Sequence, residues 1–419
     1  MPAAKHAVRT FIIAILYACL AYAVQACLCI AGVFEYVPNA QTLTNWDAAW
    51  YQSIAEKGYV YWTWGGCNLG FYPFFSLLWR WLHLGIWEVV AMNTVLFAAG
   101  FTIVSGLLKA NTKQQLLFLS LPPVYFAFIP YTEALSFLLV AGCLYGVVHK
   151  KSVWVVLCLF ALSLTRVSAI YVAVALLLME LVCNSNERWV ASLRKSLLLY
   201  LLPVAAGLAL FICYQYHVTG IWFVYFQQQS TFWGHTFSWP RFPFTNIEGG
   251  NTIVLSALAT VFCVAALLYA LYTGWRWLRY NIRQQDRLWV LSLAYLSGIL
   301  LLTMFFNPQW GRSTHAMGIH RYAMCTPFFF MFLQQFSARI AFRSKHCIAA
   351  FVLCNLVLVL FGALATVKSL LLFSCCTIIF LLYMLNSKYK WIGWVLIVLM
   401  MTAQVFLFQD FLTGGHYPD

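Results

Sequence analysis

The chain has 419 residues, of which 63% are hydrophobic and only 9% charged, with a mean hydropathy of +0.81. No soluble core could hide 18 Trp and 35 Phe in that background, so lipid must cover much of the surface. A net charge of +14 in such a chain reads as membrane topology rather than nucleic-acid binding.

The first apolar run, 11–33, follows a short basic segment with Lys5 and Arg9 and is long enough to span, so it is read as a retained first helix rather than a cleaved leader. Further apolar runs fall at 89–108, 114–130, 133–148, 152–165, 167–183, 196–214, 252–273, 288–306, 323–338, 346–366, 369–385 and 391–409. The expected fold is an all-α polytopic membrane protein, a single domain over 1–419 with about 11–13 transmembrane helices. Three outer segments stand out, 34–88, 216–251 and 307–322, and the first carries short interfacial helices. With the N-terminus in the cytoplasm, all but seven of the 25 cations fall on the cytoplasmic side, the exceptions being Lys57, Arg80, Arg166, Arg241, Arg312, Arg321 and Lys368. All but three of the 11 acids fall on the other side, the exceptions being Glu180, Glu187 and Asp286.

The first outer segment contains NWDAAWYQSIAEKGYVYWTWGGCNLGFYPFF, residues 45–75. A carboxylate beside a membrane is costly and needs a partner or a task, which makes Asp47 the candidate for chemistry; the competing reading is a cap for the helix that follows. Residues 48–55 read as a short amphipathic helix offering Trp50, Tyr51 and Ile54 to the membrane interface. Trp46, Tyr51, Tyr59, Tyr61 and Tyr72, with Trp233 and His235 of the second outer segment, are read as an aromatic platform. Rings of this kind anchor in the headgroup zone, as Trp62 and Trp64 also would, and they stack well on sugars.

Arg312, His320 and Arg321 crowd the mouth of a span in the third outer segment, an arrangement suited to a phosphate held by charge-assisted hydrogen bonds or to snorkelling cations. Glu133 opens a span, where the helix dipole favours an anion, and Arg166 interrupts the apolar run SLTRVSAIY. The two are expected to pair. The nine histidines lack ligand spacing on any one helix, so no metal is expected, and most of the 14 cysteines lie in apolar runs.

The pattern WDxxxYxxIAExGYxY with FYPFF, then PYTEALSFLL, LTRVSAIY and HRYAMCTP, resembles the PIG-V group of GT-C glycosyltransferases, whose eukaryotic members are GPI mannosyltransferase II. The blocks cover 46–327 in order; the first is fairly specific and the others persuade together. The resemblance implies a GT-C-type bundle that moves a sugar, usually mannose, from a polyprenyl phosphate (dolichyl or undecaprenyl) on the non-cytoplasmic face. Asp47 matches the catalytic Asp of the family's first loop, and Glu133, Arg166 and Arg321 match its later blocks.

The second outer segment is shorter than in the eukaryotic enzyme and looks more like the compact bacterial members, which favours a bacterial plasma membrane over the endoplasmic reticulum. The acceptor is then a glycolipid or glycan. Chemically, Asp47 would be the general base, with Glu56 in reserve, and Arg312, His320 and Arg321 would hold the donor phosphate. A single displacement inverts the anomeric centre, and no cofactor or divalent metal is required. Membrane lipids are expected partners and a small membrane subunit is a further candidate; nucleic acid is not. The alternatives are transfer to protein Ser or Thr, as in protein O-mannosyltransferases, and a multispan transporter or lipid flippase. Against the latter, hydropathy shows no internal repeat.

Overall fold

A computed structural model describes residues 2–62, 66–183, 193–194, 196–246, 252–280, 286–310, 313–339, 344–364, 366–367, 370–371, 373–375, 377–379 and 390–414. Long apolar helices dominate it, and the described β-structure is a two-stranded hairpin, β1 (Gln309–Trp310) with β2 (Ser313–Thr314), and isolated bridges. The chain is an all-α, multi-pass membrane protein.

Six described helices are long and apolar enough to cross a bilayer. They are α1 (Pro2–Ile30), α4 (Ile86–Leu108), α9 (Leu202–Thr219, lengthened by a π turn from Leu197), α11 (Thr252–Tyr280), α12 (Arg287–Phe306) and α16 (Lys390–Leu412). Shorter helices are α2 (Asp47–Lys57), α3 (Phe74–Trp81), α5 (Thr112–Leu119), α6 (Glu133–Val148), α7 (Ser152–Ser163), α8 (Ser168–Cys183), α10 (Val224–Thr231), α13 (Ile319–Met324), α14 (Pro327–Arg339) and α15 (Ser344–Leu360).

This falls short of 11–13 full spans, and proline explains two of the shortfalls. The 114–130 run is not one helix: α5 stops before Pro122 and Pro123, which have no N–H to give to a helix, and a 3-10 turn, Pro122–Phe128, follows. That turn meets α6 at 95°, so the two together make at most one broken span. The 323–338 run is likewise split ahead of Pro327 into α13 and α14. Much of the 369–385 run lies outside the described residues.

The chain folds into two compact units: one of 1–110, 125–235 and 408–419, the other of 111–124 and 236–407. In the first, α1 packs on α4, α4 on α6, α6 on α7, and α7 on α9. Helices α4 and α6 run parallel, because the buried Asn93 amide donates to the Tyr131 carbonyl (2.9 Å) while Gly100, two turns on, lies against Leu138. A Cβ on Gly100 would come within 2.9 Å of the Leu138 Cα, so glycine is what allows this approach. In the second unit α11 packs on α12, α13 and α15, with α14 beside α12. Burial there includes Ser256, Thr260, Ser292 and Thr303, whose hydroxyls bond within the described residues.

Candidate functional site

One end of the first unit gathers the first outer segment, Glu133 and Arg166. Asn45 donates from its side-chain amide to the carbonyls of Phe411 (3.1 Å) and Leu412 (2.9 Å), fastening the first outer segment to the last turn of α16. The next residue, Trp46, takes φ 57° and ψ −128°, a conformation that is uncommon for a non-glycine residue. This turn aims the backbone N–H of Asp47 at the Tyr131 hydroxyl, to which it donates at 3.2 Å. Trp46 holds the cap position of α2 and makes no side-chain capping bond; Asp47 is the first helical residue, where a carboxylate suits the dipole.

Tyr51 lies one turn beyond Asp47 on the same helical face, buried with its ring edge-on to Phe71, Phe75 and Tyr131. Burial pushes its hydroxyl pKa up, and the neighbouring charges act on it too: Asp47 raises it, Arg166 lowers it and Glu133 raises it. Asp47, Glu133 and Arg166 are thus all within electrostatic reach of one tyrosine. Glu133, at the start of α6, and Arg166, in the break between α7 and α8, form the expected ion pair at 2.8 Å. Their side chains are 1% and 9% exposed. The charges of that pair offset each other.

The break at Arg166 is tied to the first outer segment through the Phe74 N–H, which donates to the Leu164 carbonyl at 3.0 Å. Asn68, fully buried, pins the loop further: its oxygen accepts from Val60 N (2.9 Å), and its amide donates to Ser53 Oγ (3.1 Å) and Gly58 O (2.9 Å). Gln215 at the end of α9 and Gln229 of α10 donate to Leu69 and Gly70 carbonyls, both at 2.8 Å. Gly70 leaves room for the Trp233 indole, whose Nε1 lies 2.8 Å from where a Cβ would stand.

Several readings need correction. Tyr59 and Tyr72 do not form an open platform: both are buried with Phe211 and Tyr225, and the Tyr59 hydroxyl donates to the Phe71 carbonyl (2.6 Å). Tyr51 and Ile54 turn into the protein, so α2 packs its apolar face on protein rather than on the membrane interface. Of the expected platform, Trp46 and Tyr61 are exposed and Trp233 and His235 half-buried; Trp233 is edge-on to Trp50 and Phe71. Glu56 is not brought to Asp47 either. Nine residues along an α-helix place it on the opposite face and about 13 Å farther along the axis. There it accepts from Gln52 at 2.7 Å.

The third outer segment belongs to the second unit. Arg312 and Trp64 lie outside the described residues. His320 is buried, its Nδ1 3.4 Å from Ser256 Oγ, which in turn accepts from the Asn246 amide at 2.9 Å. Arg321 is half-buried on α13. His315 stacks its polar edge on Thr245 Oγ1 (3.1 Å), and burial lowers its imidazole pKa. His320 is thus part of a buried polar cluster rather than an open cradle.

Sequence reasoning passed over Tyr131. It stands beside Glu133 in PYTE, but its partner is the backbone N–H of Asp47, which no side-chain pattern reports. Among the described residues, no group of three or more His, Cys, Asp or Glu could hold a metal ion. The chain matches no protein-family model, no curated protein and no solved structure.

Proposed function

We propose that this protein is a glycosyltransferase of the GT-C type that moves a sugar, mannose, from a polyprenyl phosphate to a glycolipid or glycan acceptor on the non-cytoplasmic face of its membrane. The observation that supports this reading best is that Asp47, whose backbone N–H donates to the Tyr131 hydroxyl beside Tyr51, shares one end of the first unit with the buried Glu133–Arg166 pair and the exposed Trp46.

In the reaction, an acceptor hydroxyl forms a new bond to the anomeric carbon as the bond from that carbon to the phosphate oxygen breaks. The hydroxyl proton passes to the Asp47 carboxylate, and polyprenyl phosphate departs with the electron pair. One displacement inverts the anomeric centre. Cations are needed where negative charge grows on the phosphate. The buried ion pair holds the α6 start and the α7–α8 break in register behind the base. The bacterial plasma membrane is the proposed location.

The test is transfer of radiolabelled mannose from polyprenyl phosphomannose by purified Asp47→Asn. The amide keeps the size of the side chain but cannot take up the proton, so a drop of about 10²- to 10⁴-fold is expected with unchanged membrane insertion. Near wild-type transfer would remove Asp47 from the chemistry. A wild-type protein that transfers no sugar but moves a solute or lipid across liposomes would establish the transporter reading, which draws on the helix breaks at Glu133 and Arg166.

A further inference from the structure

The carboxylate turned away from Asp47 has a setting of its own. Glu56 lines a cleft of about 360 Å³ with Gln52, Trp79, Arg80, His83 and Ile86, between α2, α3 and the turn into α4. Arg80 is fixed there: its Nε donates to the Ala55 carbonyl (2.6 Å) and one terminal nitrogen to the Glu56 carbonyl (3.1 Å). Those bonds close the C-terminal end of α2 and use two of the five guanidinium N–H groups. His83, exposed at φ 50°, turns the chain from α3 into α4.

The depth of the cleft follows from its neighbours. Ile86 begins a 23-residue apolar helix long enough to span, so the cleft lies where hydrocarbon gives way to headgroups. Its rim exposes Trp81 (62%), Leu82 (56%) and Trp87 (47%), side chains suited to that boundary. A ligand here meets a guanidinium, an imidazole and a carboxylate in one lining. Glu88, whose carboxylate folds back over Gly85, adds a second negative charge at the start of α4 and so leaves no anion site at that helix end.

We propose that this cleft binds the phosphoethanolamine headgroup of a membrane phospholipid, with the phosphate on Arg80 and His83 and the primary ammonium on Glu56. Two acids beside one arginine disfavour an anionic headgroup. A choline is disfavoured because its trimethylammonium cannot donate hydrogen bonds to a carboxylate. An aromatic cage would be needed instead, and the one indole in the lining, Trp79, is buried with its N–H given to the Leu84 carbonyl, while Trp81 and Trp87 stand outside that lining. The site is independent of the transfer reaction.

The full-length protein, purified in detergent, is titrated with short-chain phosphatidylethanolamine, phosphatidylcholine and phosphatidylglycerol and with soluble phosphoethanolamine, reading the thermal midpoint. Phosphatidylethanolamine should raise the midpoint most. In Glu56→Gln, whose ligand-free midpoint should match wild type because the side chain is exposed, its binding should weaken about 10-fold or more. His83→Ala should weaken the phosphate side in the same way. Equal shifts with all three lipids, or Glu56→Gln binding like wild type, would overturn the proposal. A full shift with soluble phosphoethanolamine alone would overturn its assignment to a lipid.

Discussion

Replacing Arg166 by Met leaves the Glu133 carboxylate buried without its guanidinium. At the observed 2.8 Å, and with an effective dielectric of about 20, the two charges attract by about 6 kcal/mol, most of which offsets the cost of taking both out of water. Removing one partner abolishes the attraction but not the desolvation of the other, so Arg166→Met and Glu133→Gln should each cost about 3–5 kcal/mol. The double variant removes both charges and should be less damaged than the sum of the two, with a coupling of about 0.5–3 kcal/mol. Urea- or SDS-driven unfolding of the purified protein in bicelles reads all three. Single losses under about 1 kcal/mol, or strictly additive losses in the double variant, would show that the pair is wet and that its burial between α6 and the α7–α8 break does not govern its energetics.

Two further outcomes are expected. Burial holds the His315 imidazole pKa below its usual 6.5, so the unfolded chain binds the proton more readily; the resulting stability is fully present above about pH 6.5 and is lost as pH falls toward the folded value, and His315→Gln should flatten that part of an unfolding-midpoint profile taken from pH 5 to 8. Asn68→Ala removes three hydrogen bonds at a fully buried position, a loss of about 3 kcal/mol at about 1 kcal/mol each, and should open 58–72 to limited proteolysis; an unchanged cleavage rate would mean that the loop is held elsewhere.

Hydropathy was a sound guide to where helices lie, because lipid asks only for a long apolar run. The 133–148 run coincides with α6, and 252 and 391 fall within a residue of the starts of α11 and α16. Hydropathy failed where backbone chemistry intervened, at Pro122, Pro123 and Pro327, since an apolar run interrupted by proline looks as oily as an unbroken one. The Glu133–Arg166 pair was legible because an arginine in an apolar run has few affordable surroundings. Tyr59 and Tyr72 were misread for the opposite reason: an aromatic residue in a loop carries no mark of whether it stacks on a ligand or on Phe211. Glu56 shows the limit of proximity in sequence, because nine residues of helix separate two carboxylates as thoroughly as a different element would.

The clamp between Asn45 and the carbonyls of Phe411 and Leu412 joins positions more than 360 residues apart in the chain. A ribosome delivers Asn45 long before Phe411 exists. The segment carrying Asp47 therefore has to wait, already inserted beside its first helix, with an amide that has no permanent acceptor until the last helix arrives. Alongside it, the side chain of Gln25 in α1 awaits Gln409 in the same way. Completion of this end of the protein is thus a late event in its biogenesis, and a chain arrested before the last turn of α16 would hold every acidic residue of the candidate site yet lack the fastening that sets the Trp46 turn.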